Sequence, residues 1–170
     1  MMDQEKVNIL LVDDQPAKLL AYEVILKELG ENLIKASSGR EALEFLLKND
    51  VAIILVDVCM PELDGFELAA LNREHPRFQK IAMICISPIQ DSDIDRLRGY
   101  EMGAVDYVPV PVVPEVLRAK IKVFAELYRK TRQLERLNVE LEDRVRARTA
   151  ELEESHTRLL ESEQRRSLAI

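Results

Sequence analysis

The chain has 170 residues, 47% apolar and 32% charged, with a net charge of −7, which suits one ordinary domain plus an appendage and excludes a multidomain enzyme. Ten basic and ten acidic residues lie between Glu126 and Ile170, leaving 14 basic against 21 acidic before them, so the whole net charge belongs to residues 1 to 125. An acidic domain is a poor match for nucleic acid or an anionic membrane surface. No apolar run approaches the ~20 residues of a membrane span, and no signal peptide follows Met1, so the expectation is a cytoplasmic protein with no nucleic-acid or membrane partner. Cys59 and Cys85 form no Cys-x-x-Cys pair and are expected as reduced, buried thiols.

In chain order, five short apolar runs have the character of strands buried on both faces of a parallel sheet: Val7–Val12, Asn32–Ala36, Val51–Val56, Ile81–Ile86 and Ala104–Val108. A first helix begins at Pro16, carries Leu19, Tyr22, Leu26 and Leu29 at spacings of three and four, and stops at Gly30. Further helices are expected over Arg40 to Lys48, Gly65 to Arg73 and Asp91 to Met102. Such alternation predicts an α/β domain with parallel strands and right-handed crossovers, over residues 1–125.

After Pro114 no Gly or Pro occurs and no strand signal returns. One helix is expected to about Arg166, roughly 75 Å long at ~1.5 Å per residue. With Phe124 at heptad position a, the later a positions are Thr131, Asn138, Val145, Leu152 and Leu159, and the d positions are Leu127, Leu134, Leu141, Arg148 and Ser155. Residues 126–170 therefore read as a coiled-coil extension, with Asn138 as the polar a residue that fixes register in a parallel homodimer. A lone helix with so little Ala would have no burial to offset its ordering entropy.

In a doubly wound sheet the ligand site lies at the carboxyl ends of the central strands, where the strand order reverses. Asp13 and Asp14 follow the first predicted strand and Asp57 follows the third, so this topology would gather three acids on one edge. Carboxylates this close repel one another unless a cation joins them, and an all-oxygen set suits Mg2+ better than Zn2+. Such a site can offset the charge of an incoming phosphoryl group and leave one Asp to attack phosphorus. The alternative is that the acids cap helices, as Asp14 before Pro16 could do.

The stretches LLVDDQP, SSGREAL, VDVCMPELDGFEL and GAVDYV, in that order, closely resemble the receiver domain of two-component response regulators over roughly residues 7 to 125. The resemblance implies a flavodoxin-like five-stranded parallel sheet of order 2-1-3-4-5, continued here by the coiled-coil helix. It also implies Asp57 as phosphoacceptor and a Mg2+ site of Asp13, Asp14, Asp57 and the backbone carbonyl of Cys59. Ser87, expected to end the fourth strand, matches the hydroxyl that hydrogen-bonds the phosphoryl group, and Tyr107 matches the aromatic that turns inward behind it. A hydroxyl is a neutral donor that can rotate toward new acceptor oxygens.

Two positions depart from the receiver pattern. Val110 stands before Pro111 where receivers carry a Lys, and the surrounding VPVPVVP offers no shifted substitute. A lost charge-assisted bond is worth about 1.5 to 3 kcal/mol, so phosphorylation would be weakened. Pro88 follows Ser87 where a small residue is usual and would stiffen that loop. By the same resemblance the Val110–Pro111 bond is expected to be cis.

The resulting expectation is a receiver phosphorylated by a histidine kinase or phosphotransfer protein, relaying its state through a dimeric coiled coil to an output domain in cis. LLESEQRRSLAI resembles the lead-in helix of sensory modules in hybrid histidine kinases and diguanylate cyclases, so the parent protein is expected to be one of these, with no catalytic domain in this chain. The alternative is a pseudo-receiver, a dimerisation and docking module with a vestigial acidic pocket. A haloacid-dehalogenase-like phosphatase is disfavoured because no acid stands two residues after Asp13. His156, in SHTRLL, lacks the acidic residue and Pro that follow a kinase phosphoacceptor His, and neither it nor His75 is assigned a phosphotransfer role.

Overall fold

The computed structural model describes residues 5–57, 80–88 and 106–168. The expected helices over Gly65 to Arg73 and Asp91 to Met102, together with Cys59 and His75, lie outside the described residues. The described elements are β1 (Asn8–Val12), α1 (Pro16–Leu26, continued by a 3-10 turn Lys27–Leu29), β2 (Asn32–Ala36), α2 (Gly39–Lys48), β3 (Ile53–Asp57), β4 (Ala82–Pro88), β5 (Asp106–Val110) and α3 (Pro114–Leu168). The five strands form one parallel sheet in the order β2-β1-β3-β4-β5, the flavodoxin-like arrangement expected.

Side chains alternate across the sheet, and the two resulting layers explain why the strand sequences are apolar at nearly every position. On one face Leu10, Val12, Ile54, Val56, Met83, Cys85 and Tyr107 pack with Ala42 and Leu46 of α2. On the other, Ile9, Leu11, Ile53, Leu55, Ile84 and Val108 pack with Leu19 and Leu26 of α1 and with Leu117, Ile121 and Ala125 of α3. Every residue of β3 is buried.

Local chemistry sets the helix ends. Gly30 takes a left-handed φ of 73° after the 3-10 turn, a conformation that costs a residue with Cβ more than it costs Gly. At α2, Ser38 Oγ accepts a hydrogen bond from Glu41 N–H at 3.1 Å. Ser37 donates its N–H and hydroxyl to Glu41 Oε2 at 3.0 and 2.7 Å, and these bonds hold the Glu41 carboxyl below the usual carboxylate range. The second turn of α3 is anchored differently. Lys120 Nζ donates to both carboxylate oxygens of Asp106, at 3.0 and 2.9 Å, and to the carbonyl of Tyr107 at 3.1 Å.

Several boundaries differ from the sequence reading. β4 runs on to Pro88, so Ser87 does not end it, and β5, Asp106–Val110, continues two residues past the expected Val108, while Ala104 and Val105 lie outside the described residues. Pairing decides these ends: Ser87 faces Pro109 and Pro88 faces Val110 in the ladder. Pro109 is tolerated because β5 is an edge strand.

The chain divides into two compact units, Met1–Arg129 and Lys130–Ile170. In the first, Phe124 and Tyr128 of α3 pack against the buried layer, so the heptad traced from Phe124 starts on a core residue. In the second, every described residue from Arg136 to Ser167 is exposed. Among the described residues no helix is long and apolar enough to cross a membrane.

These layers predict a sharp contrast between faces. Ile54→Ala, at a fully buried position, should lower unfolding free energy by about 2–5 kcal/mol. Leu20→Ala, on the exposed side of α1, should change it by no more than about 0.5 kcal/mol. Urea unfolding of the two variants checks this.

Candidate functional site

β1 and β3 are neighbours, and the strand order reverses between them. Their register pairs Leu11 with Leu55 and Val12 with Val56. One further step along both strands brings Asp13, just past β1, level with Asp57, the last residue of β3. Asp14 follows directly, and one carboxylate oxygen of each acid lies within 4.8 Å of the others. The three predicted acids are therefore gathered at the switch point, as the fold rule requires.

Their environments differ. Asp13 is fully buried and Asp57 nearly so, whereas Asp14 is exposed. Asp13 Oδ1 accepts the Gln15 N–H at 2.9 Å, and Tyr22 OH donates to Asp13 Oδ2 at 3.5 Å. Burial raises the Asp13 carboxyl above its ordinary range; the Gln15 N–H opposes this, the negative charge of Asp57 adds to it, and Lys18 opposes it again. Burial beside the same two carboxylates pushes the Tyr22 phenol well above its usual range. Asp14 does not cap α1: the cap residue is Gln15, with no side-chain cap bond. The adjoining turn is held instead by the Asp13 carboxylate.

The donor set fits a small, hard divalent cation, since it is all oxygen and carries three formal negative charges. A buried carboxylate with a raised pKa is the second sign of fit, because its charge is under-compensated by the protein groups around it.

One functional candidate escaped sequence reasoning. Lys18 Nζ lies 3.5 Å from Asp57 Oδ2, with the Lys18 side chain 43% exposed and that of Asp57 10% exposed. The available signal was a basic residue in the first turn of α1, where no acidic residue stands. The positive end of the helix dipole disfavours a cation there.

The other predicted residues fall as follows. Asp57 pairs with Ile86 on β4, so Ser87 is the next residue along the same sheet edge; its side chain lies outside the described residues. Tyr107 stands opposite Cys85 and is buried in the α2-side layer. Cys85 is a free buried thiol, pushed up to about 12 by burial. Val110 pairs with Pro88 at the end of β5, is 40% exposed, and precedes the expected cis peptide to Pro111. That strand is two ladder spacings, about 10 Å, from β3. In α3 the seam residues Leu127, Leu134, Leu141, Val145, Leu152 and Leu159 are all more than half exposed; Asn138 and His156 are exposed as well.

The family model described as the response regulator receiver domain matches residues 9–122. Transcriptional regulatory protein YvrH of Bacillus subtilis is 36% identical over 119 residues, 69% of this chain and 48% of that protein. A "Probable cyclic di-GMP phosphodiesterase" of Vibrio cholerae is 31% identical over 153 residues, 90% of this chain and 34% of that protein. The chain thus spans about half the length of these relatives, or less. Among solved structures, the signal receiver domain of a signal transduction histidine kinase from Syntrophus aciditrophicus has a TM-score of 0.66 and 32% identity, covering 71% of this chain and 90% of its own. Chemotaxis protein CheY4 of Vibrio cholerae has a TM-score of 0.66 and 25% identity, covering 71% of this chain and 99% of its own. With its sheet order and its acidic cluster at the switch point, the chain belongs to the response regulator receiver family.

Proposed function

We propose that this receiver accepts a phosphoryl group on Asp57 from a histidine kinase or phosphotransfer protein and relays its state through α3 to an output domain in cis. The observation that carries the reading is the convergence of Asp13, Asp14 and Asp57 within 4.8 Å. In the transfer, an Asp57 carboxylate oxygen attacks phosphorus, the bond from phosphorus to the donor's leaving atom breaks, and the donor departs with that electron pair. Asp13, Asp14 and Asp57, with the backbone carbonyl of Cys59, would hold Mg2+. When bound, that ion supplies positive charge to offset the phosphoryl oxygens. Ser87 would donate its hydroxyl to the new oxygens, and Tyr107, opposite Cys85 and two residues before the Pro109 that faces Ser87, would respond from β5.

Domain limits of 1–125 and 126–170 belong to the same proposal. The seam from Leu127 through Leu134, Asn138, Leu141, Val145, Leu152 to Leu159 would pair with a second copy as a parallel coiled coil. Apolar residues at heptad spacing and more than half exposed favour a partner of the same kind. The similarity to the Vibrio cholerae protein extends over 90% of this chain, beyond the residues matched to the receiver family. That supports a receiver-plus-helix arrangement leading to an output such as a kinase or a cyclic-dinucleotide enzyme.

The pseudo-receiver is kept as a second reading because Val110, a neutral residue, ends β5. With Mg2+ and saturating acetyl phosphate, mass spectrometry should find one added phosphoryl group on the wild-type chain and none on Asp57→Asn. An unmodified wild type would leave the pseudo-receiver.

Mg2+ supplies a second check. A raised Asp13 pKa means that the folded state binds a proton more tightly than the unfolded chain, so Asp13 contributes a stability that falls as pH rises from the unfolded pKa through the folded one. At neutral pH the ionised group opposes folding, and a bound cation should offset it. Saturating Mg2+ should therefore raise the Tm of the EDTA-treated wild type by several degrees and leave Asp13→Asn nearly unmoved, as read by thermal unfolding.

For the helix, seven residues inserted near Arg146 in the parent protein should preserve coupling to the output, whereas four should rotate it and change its activity. Equal output from both insertions would exclude rotational phase as the signal.

A further inference from the structure

We propose that Lys18 is the cation of this site that contacts the phosphoryl group on Asp57, reaching it from the first turn of α1. The inference rests on the phosphoacceptor reading of Asp57 given above and adds a residue to it.

Two independent observations carry it. The first is position: Lys18 Nζ lies 3.5 Å from Asp57 Oδ2, and its side chain is 43% exposed against 10% for Asp57. An ammonium so placed touches the acceptor oxygen yet stays open to the solvent side, from which a phosphoryl donor must come. Its flexible stem and three donors allow it to follow the charge outward once phosphorus is attached.

The second is that Lys18 breaks a local rule. α1 starts at Pro16 with no acidic residue in its first turn and no side-chain cap on Gln15. A cation there faces the positive end of the helix, which α1 itself does nothing to relieve. What compensates it is the acidic cluster, with the charge of Lys18 also felt at Asp13. A rule broken locally and compensated, among the described residues, at a site is expected where the residue serves that site. Val110, at the end of β5, offers no charge from the far side.

Lys18 and a divalent cation are both attracted to the same carboxylates, so the proposal makes two opposite demands. Removing the ammonium takes away a competitor for the metal and a partner for the phosphoryl group. In the full chain, Lys18→Gln should bind Mg2+ as tightly as wild type or up to about tenfold tighter. In saturating Mg2+ it should bind beryllofluoride, a phosphoryl mimic, about tenfold or more weakly. Lys18→Arg, which keeps the charge, should stay within a few-fold of wild type for beryllofluoride. Isothermal titration calorimetry reads both affinities, and circular dichroism with thermal melting shows that the variants are folded.

Unchanged beryllofluoride affinity in Lys18→Gln overturns the assignment. So does a parallel loss of Mg2+ and beryllofluoride affinity, which would mark Lys18 as mere support for the pocket. The wild type separates the two levels of failure. If wild-type chain binds Mg2+ but no beryllofluoride, the phosphoacceptor reading fails and takes this contact with it; if wild type and Lys18→Gln bind the mimic equally, only the contact fails.

Discussion

Everything at this site depends on two parallel strands running side by side in one register. Because Val12 lies against Val56, the chain leaves β1 at the height where β3 ends, and Asp13 meets Asp57. No loop has to be shaped to bring these carboxylates together. The order reversal between β1 and β3 then keeps a crossover helix from covering the spot. β3, buried throughout, and β1, buried from Ile9 onward, give the cluster a rigid floor, which a site of closely spaced like charges needs if it is not to relax apart.

That arrangement costs stability where the carboxylates are ionised. Asp13 is buried, and its raised pKa records both the loss of water and the nearness of Asp57. The described residues that answer include one backbone N–H, one long phenol contact and the ammonium of Lys18. Sites of this type sit below the stability the same fold could reach with neutral side chains.

Much of this was legible in the sequence, for identifiable reasons. The strands were visible because burial on both faces writes itself as a continuous apolar run, and Asp13, Asp14 and Asp57 were visible because strand ends are where such folds place ligands. Strand limits were less so. β5 extends to Val110 because Pro109 can sit on an edge strand, a fact about the neighbours of β5 and not about its own residues. The heptad traced from Phe124 is a related case. Periodicity records that a helix face is apolar, but not whether it meets its own sheet, as Phe124 does, or stands exposed, as Leu134 does. Lys18 was missed because its partner is 39 positions away and its own surroundings gave only a weak sign, an unfavourable charge at a helix start.

The composition of β5 limits what can pair with the border of the sheet. As an outermost strand it would ordinarily offer a row of amide donors on which another strand could grow. Pro109 lies within β5, and Pro111 follows it directly; neither has an N–H to give. The sheet is thereby closed to extension on that side, as a barrel is closed by joining its ends. A border blunted in this way disfavours the cross-strand stacking that leads to fibres, whatever surfaces the rest of the molecule presents.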